Sequence, residues 1–301
     1  MSGVYIFSDK NDIAAEIIGF AKSAGKDAIL LVFDEQTAKV MGNSGADKIY
    51  LVNGESELVE SYARSIAQLL REEGAELFAV GATPRGRDLA ARVAGYLNCG
   101  MASDVSTLSC GDGQWLTQRI IYGGAVQQTE VLEGLAVVTI PGGKFEPVSG
   151  TGEMVNITLA ADRRISLEET MPIGHQGADL SAAEKVVCVG MGLEKEEDMQ
   201  LAKDLAAALG AEIGCTRGIA EERHWLPAER YIGISGAVIK PKLYISMGVS
   251  GQVQHVVGIR DSQVIVGIDI NEKAPIFAAA DYGIVGDMYE VVPLLIKALS
   301  E

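Results

Sequence analysis

The segment Leu243–His255 reads LYISMGVSGQVQH and decides the fold of the last third of the chain. Its first residues are typical of a buried strand, and Gly248 and Gly251 interrupt this pattern before helical spacing begins. Glycines let a backbone approach a phosphate closely, and the unpaired amides at a helix start attract negative charge. The segment therefore predicts a strand, a glycine turn and a helix that hold a dinucleotide, although a purely structural turn would show the same glycines.

Other short segments of small residues surround this turn along the chain. They carry hydroxyl, guanidinium and carboxylate groups, and they are Gly214–Arg217, Gly233–Gly236, Gly267–Asp269, Ala274–Phe277 and Ala280–Asp287. Open α/β sheets bind ligands in the crevice at the carboxyl ends of their strands. We expect these segments to converge on one such crevice.

The rest of the chain alternates short apolar runs with amphipathic stretches, which indicates an α/β fold with mainly parallel sheets. The predicted elements of the first half are the strands Val4–Ser8, Ala28–Phe33, Lys48–Leu51 and Leu77–Gly81 and the helices Asp12–Ala24, Leu58–Glu73 and Pro84–Leu97. This alternation is Rossmann-like. The segments Gln114–Val126 and Leu135–Thr139 are interpreted as strands of a β-rich extension to the same domain.

A loss of pattern divides the chain in two. Between Asn156 and Glu184 the periodicity disappears among glycine, proline and acidic residues, which is typical of a linker. We predict an N-terminal α/β domain over residues 1–184, including this linker, that acts as a scaffold and contacts a partner. A second α/β domain, residues 185–301, is predicted to bind the cofactor. Its predicted elements are the strands Val186–Val189, Leu243–Met247 and Val264–Ile268 and the helices Glu196–Leu209 and Met288–Leu299.

Composition excludes several classes of partner. The chain of 301 residues has a formal net charge of −16, and its basic residues form no run, so nucleic acid and membrane surfaces are poor candidates. No apolar stretch approaches the roughly 20 residues that span a bilayer, and the first residues indicate a strand, not a signal peptide. We therefore expect a cytoplasmic protein without membrane insertion. The four cysteines lie far apart, which favours neither a metal site nor a disulfide framework.

The set of motifs resembles the alpha subunit of the electron transfer flavoproteins. The similarity is close at Leu243–His255, Ala274–Phe277 and Ala280–Asp287 and extends more weakly over the whole chain, including Gly86–Arg92 and Ser103–Val105. Further segments look most like bacterial branches linked to carnitine metabolism and nitrogen fixation, and they are Gly214–Arg217, His224–Pro227 and Glu229–Gly236.

The resemblance implies an electron carrier that performs no substrate catalysis of its own. FAD would be the cofactor, a beta subunit the partner in a heterodimer, and an acyl-CoA dehydrogenase or related flavoenzyme the electron donor, as in fatty acid beta-oxidation. An alternative is the alpha subunit of an NADH-dependent electron-bifurcating or acyl-CoA reductase-associated complex. A nicotinamide-dependent dehydrogenase is a third interpretation, but no proton-transfer residue stands out beside the glycine turn.

The resemblance also implies roles for individual residues. Arg217 would lie over the flavin ring, Ser235 near flavin N5 and His255 toward the C2 carbonyl, although Arg217 can instead pair with the acidic run Glu221–Glu222. Ser250, Gly251, Gln252 and Gln254 would contact the pyrophosphate and ribityl chain, and Asp269 and Asp287 the adenosine end. The full predicted set is Thr216, Arg217, Ile234, Ser235, Gly236, Gly248, Ser250, Gly251, Gln252, Val253, Gln254, His255, Asp269, Asp287 and Met288.

Two positions depart from the common pattern of that family. Met191 stands between Gly190 and Gly192, where many members carry an arginine that contacts the cofactor, and Asp269 stands where asparagine is frequent. Both changes make the surroundings of the cofactor more negative. We therefore predict a flavin that is harder to reduce than in members with arginine and asparagine.

Overall fold

A computed structural model describes residues 3–111, 113–171 and 180–299. These residues form two compact units: a first unit of residues 3–121 with 126–171, and a second unit of residues 122–125 with 180–299. Each unit is built on a parallel sheet covered by helices, so the predicted α/β class with a Rossmann-like first half is confirmed. Among the described residues, no helix combines the length and the apolar character needed to cross a membrane.

The first unit contains a seven-stranded sheet. Its strands are β1 (Gly3–Phe7), β2 (Asp27–Val32), β3 (Lys48–Asn53), β4 (Leu77–Gly81), β5 (Met101–Ala102), β9 (Ala136–Ile140) and β10 (Glu153–Thr158). Their order in the sheet is β10-β3-β2-β1-β4-β9-β5, and neighbouring strands pair in parallel. Its helices are α1 (Asn11–Ser23), α2 (Glu35–Val40), α3 (Ala63–Glu72) and α4 (Pro84–Leu97). A separate antiparallel sheet consists of β6 (Thr107–Gly111), β7 (Gln114–Ile121) and β8 (Val126–Glu133).

Strand β1 shows why apolar and polar residues do not alternate along the central strands of this unit. All five of its residues are buried. Val4 and Ile6 pack into one hydrophobic cluster and Tyr5 and Phe7 into another. Because successive side chains point to opposite faces of a sheet, helices on both faces require apolar residues at every position.

Two sequence predictions for this unit are wrong. The segment interpreted as an extension strand, Leu135–Thr139, falls on β9, which pairs with β4 and β5 inside the main sheet. The predicted linker begins too early, because Asn156–Thr158 belongs to β10 and pairs in parallel with β3. Strand β10 lies at the sheet edge and alternates exposed with half-buried residues, so it lacks the apolar run that marks the other strands. Residues 172–179 of the predicted linker lie outside the described residues.

The second unit contains a five-stranded parallel sheet. Its strands are β11 (Lys185–Val189), β12 (Glu212–Cys215), β13 (Leu243–Met247), β14 (Ile265–Asp269) and β15 (Tyr282–Val285). Their order in the sheet is β12-β11-β13-β14-β15. Its α-helices are α5 (Met199–Leu209), α6 (Val253–Val256), α7 (Ile276–Ala279) and α8 (Met288–Leu299). Leu180 is buried in one of its two hydrophobic clusters, so the described second unit starts before the predicted boundary at Glu184.

Candidate cofactor site

A cavity of about 600 Å³ opens at the carboxyl ends of four strands of the second unit. Its walls follow β11, β12, β13 and β14 and a loop before β13. The lining residues are Met191, Gly192, Thr216, Arg217, Gly218, Glu222, Tyr231, Ile234, Ser235, Gly248, Val249, Ser250, Gly251, Gln252, Gln254, His255 and Asp269. The structure thus brings most of the predicted site residues together around one space.

The strand order explains why a cavity forms here. The chain leaves β11 toward β12 on one side and then returns to β13 on the other side. At such a switch point the following loops diverge and leave a crevice, which is where open parallel sheets bind their ligands. The volume lies within the range of roughly 300 to 1,000 Å³ that is usual for sites of small molecules and cofactors.

The glycine turn forms the floor of this cavity. Gly248 and Gly251 have positive φ angles of 60° and 79°, a conformation that side chains with a Cβ rarely adopt. A Cβ on Gly251 would overlap the backbone of Ile276, and a Cβ on Gly190 would overlap the carbonyl of Gly248. The turn is therefore packed against its neighbours so tightly that only glycine fits at these positions.

The backbone amides of the turn are available to a ligand. Among the described residues, the amides of Val249, Ser250, Gly251 and Gln252 donate no hydrogen bond. The following helix α6 has only four residues, so it contributes little dipole. Binding of a negative group would therefore depend on the amides of the turn itself.

His255 lies at the cavity wall with one ring nitrogen occupied and the other unpartnered. Its Nε2 atom is 2.7 Å from the hydroxyl oxygen of Tyr244, while its buried Nδ1 atom has no hydrogen-bond partner within the described residues. Burial lowers the pKa of His255 to about 4, and an interaction with the backbone of Ile232, too poor in geometry to count as a hydrogen bond, opposes this only in part. The imidazole is therefore neutral near pH 7.

A second buried polar atom on the cavity wall also lacks a partner. It is Oγ1 of Thr216, the residue that follows β12. Buried donors and acceptors without partners are rare in folded proteins because their desolvation is not compensated. Two such atoms around one cavity, Thr216 Oγ1 and His255 Nδ1, fit a ligand that carries hydrogen-bonding groups, as a flavin does.

Arg217 lines the cavity and pairs with an acidic neighbour at the same time. Its Nε atom is 2.5 Å from the carboxylate of Glu221, and this hydrogen bond raises the pKa of the guanidinium. The ion pair that the sequence left as an alternative is thus present. Within the described part of the chain, the hydrogen bond to Glu221 uses Nε alone, so the Nη atoms can still donate to a ligand.

Four predicted site residues do not line the cavity: Gly236, Val253, Asp287 and Met288. The carboxylate of Asp287 accepts a hydrogen bond from the amide of Tyr289 at 2.9 Å, as a residue before a helix commonly does. Met288 is buried, and its methyl group lies where a Cβ on Gly248 would point. Cofactor contact stays a prediction for these four residues, as it does for the predicted residues that line the cavity.

Sequence reasoning missed other lining residues, of which Tyr231 is the most informative. Its hydroxyl is 3.2 Å from Oγ of Ser235, and an isolated parallel bridge joins it to Cys215 at the end of β12. No periodic pattern marks this single bridge, so the sequence gives no signal for it. Glu222 and Val249 were also missed, whereas Met191 was noticed only as a departure from the family pattern.

Comparison with protein-family models matches both parts of the chain to domains of the same family. Residues 10–164 match the model of the electron transfer flavoprotein domain, and residues 179–260 match that of the electron transfer flavoprotein FAD-binding domain.

The chain belongs to the electron transfer flavoprotein family.

Full-length relatives support this electron transfer flavoprotein assignment. The chain is 38% identical to YdiR of Escherichia coli strain K12, an alignment that covers 100% of this chain and 99% of the relative. It is 36% identical to a FixB protein of Escherichia coli and 34% identical to one of Salmonella typhimurium, and each alignment covers 99% of this chain and 98% of the relative. The predicted alpha-subunit family and the electron transfer function are therefore confirmed, and the family implies a flavin cofactor and a beta-subunit partner.

Proposed function

We propose that this electron transfer flavoprotein chain holds one FAD non-covalently in the cavity of its second unit and shuttles electrons as a heterodimer with a beta subunit. The observation that carries the proposal is the cavity at the strand switch point, where the amides from Val249 to Gln252 and the unpartnered atoms of Thr216 and His255 meet. Bound FAD would supply the redox chemistry by accepting electrons from one partner and releasing them to another.

Different lining residues suit different parts of FAD along the cavity. The amides of the glycine turn match the pyrophosphate of FAD, since unpaired backbone N–H groups bind anions. The neutral imidazole of His255 and the hydroxyl of Ser235 can hydrogen-bond to ring heteroatoms, and the guanidinium of Arg217 favours the negative charge of a reduced ring. Asp269 can accept hydrogen bonds from ribose hydroxyls.

The cofactor test compares FAD with FMN. The purified chain, together with its beta subunit, is incubated with either flavin, desalted and measured by visible absorbance. We expect one retained FAD per heterodimer and little FMN, because FMN lacks the pyrophosphate and adenosine that the glycine turn and Asp269 would hold. A heterodimer that retains no flavin, or that retains FMN equally well, contradicts the proposal.

The electron donor is proposed to be an acyl-CoA dehydrogenase or a related flavoenzyme, in the cytoplasm. The test is anaerobic: catalytic amounts of such a dehydrogenase and its acyl-CoA substrate are mixed with the FAD-loaded heterodimer. We expect the flavin band to bleach with acyl-CoA and to persist with NADH. Bleaching by NADH alone, with two flavins per heterodimer, would favour the electron-bifurcating alternative.

A further inference from the structure

Tyr244 lies in the core of the second unit, and the one polar atom of its side chain points at His255. The residue is fully buried in β13, among apolar residues of the second unit's core. Its hydroxyl oxygen is 2.7 Å from Nε2 of His255, which is a short hydrogen bond between two buried groups. A buried tyrosine hydroxyl usually finds a partner, and here that partner is a residue of the cavity wall.

The chemistry of the two groups decides which of them donates. Burial raises the pKa of Tyr244 well above its usual value and lowers that of His255 to about 4, so both are neutral near pH 7. A neutral imidazole has one N–H and one basic nitrogen. A phenol O–H is a strong donor and a basic ring nitrogen is a better acceptor than a phenol oxygen, so the hydroxyl hydrogen points to Nε2.

Another neighbour of Nε2 does not change this assignment. The sulfur of Cys188 is 3.9 Å from Nε2, at the limit of a weak contact. A thiol is a poor donor and a poor acceptor compared with a hydroxyl. The short contact to Tyr244 therefore dominates at this nitrogen.

We propose that Tyr244 is a positioning residue, whose hydroxyl donates to Nε2 of His255 and so keeps the imidazole hydrogen on Nδ1. This inference rests on the proposed function and adds to it a residue that orients a side chain of the cavity wall. Within the described residues, the buried Nδ1 atom makes no hydrogen bond of good geometry, and only a weak interaction with the backbone of Ile232 acts on the ring. With its hydrogen fixed, Nδ1 can only donate.

The first test measures the tautomer directly, without flavin. The chain has three histidines, so ¹⁵N-histidine labelling gives few ring-nitrogen signals, and His175→Gln and His224→Gln variants assign those of His255. We expect a pyrrole-type shift for Nδ1 and a pyridine-type shift for Nε2 in the flavin-free full chain at pH 7. The reverse pattern overturns the proposal.

The second test removes the hydroxyl. In Tyr244→Phe we expect the His255 signals to shift toward a mixture of tautomers and the FAD dissociation constant to rise about tenfold, the size of one lost hydrogen bond. Tyr62→Phe is the matched control, because Tyr62 is also a buried tyrosine whose hydroxyl bonds to Ser56, in the first unit. A Tyr244→Phe protein that keeps the wild-type tautomer overturns the proposal.

The two tests separate this inference from the proposed function. If the wild-type chain binds no flavin but shows the expected tautomer, the proposed function fails and the role of Tyr244 stands. If flavin binds but the hydrogen is on Nε2, the role of Tyr244 fails and the proposed function stands. If Tyr244→Phe does not fold, the wild-type tautomer alone decides the question.

Discussion

At the scale of single residues, the charged side chains that line the cavity are more often acidic than basic. Met191 supplies no charge, and Arg217 is paired with Glu221. Glu222 and Asp269 add two carboxylates to the lining. Because nearby negative charge opposes the addition of electrons, the residues favour a flavin with a low potential.

Replacing Met191 with arginine is expected to raise the flavin potential. An added cation at the exposed edge of the cavity stabilises the reduced form by about 1 kcal/mol, or about 40 mV for a one-electron step. The measurement is a redox titration of the FAD-loaded heterodimer. Met191→Leu controls for the change of shape, and a potential that stays equal or falls in Met191→Arg refutes the charge argument.

Stability is expected to depend on pH through His255. Its folded pKa of about 4 lies below the unfolded value of 6.5, so the unfolded chain binds the proton more tightly. The stabilising neutral form is complete above pH 6.5 and is lost as the pH falls from 6.5 to 4. We expect His255 to contribute a loss of about 2 kcal/mol between pH 7.5 and pH 5.

Urea unfolding of the full chain at both pH values measures this loss. The His255→Gln variant lacks the titrating ring but keeps a side chain that can hydrogen-bond to Tyr244. The difference in unfolding free energy between wild type and variant should therefore change with pH. A difference that is the same at pH 7.5 and pH 5 contradicts the lowered pKa.

At the scale of elements, the glycine turn and helix α4 respond in opposite ways to an added methyl group. In Gly251→Ala, the positive φ of 79° and the overlap with the backbone of Ile276 should destabilise the protein by roughly 2 kcal/mol. In Gly95→Ala, the new Cβ meets open space on a helix, so stability should rise by about 0.5 to 1 kcal/mol. Thermal unfolding checks both signs, and equal effects would contradict the geometry.

The start of α4 depends on one hydroxyl. Thr83 precedes the helix, and its Oγ1 accepts a hydrogen bond from the amide of Gly86 at 3.0 Å. We expect Thr83→Ala to destabilise the protein by about 1 kcal/mol and Thr83→Ser to retain most of the stability. Denaturant unfolding gives both values, and an unchanged Thr83→Ala protein would show that the cap is not needed.

The elements also show what the sequence can and cannot predict. Four predicted elements have the same bounds as the observed β4 (Leu77–Gly81), α4 (Pro84–Leu97), β13 (Leu243–Met247) and α8 (Met288–Leu299). Long amphipathic helices and compact apolar strands give clear sequence patterns. Strand β15 was missed because all of its residues are exposed. The contact between Tyr244 and His255 spans eleven residues of chain and depends on how the glycine turn reverses direction, which no local pattern records.

At the scale of the whole molecule, the candidate site belongs to the second unit. All of its lining residues lie between Met191 and Asp269. We expect FAD to slow amide hydrogen exchange most strongly in the segments that line the cavity, above all at Val249–Gln252, because these amides would gain partners. Exchange in β1 to β4 of the first unit should stay unchanged. Mass spectrometry of the chain with and without FAD measures both, and protection in the first sheet alone contradicts the assignment.

The layout of the sheet has an evolutionary consequence. Glycines that accept a side chain only with strain hold the turn in place, while the side chains at positions 191, 222 and 269 lie at or beyond the carboxyl ends of β11, β12 and β14. Positions at the ends of strands and in the segments that follow them tolerate substitution better than the buried strand interiors. Selection can therefore change the redox potential of such a carrier by single substitutions. Descendants of one ancestor can then acquire new electron donors while the backbone of the cofactor site stays the same.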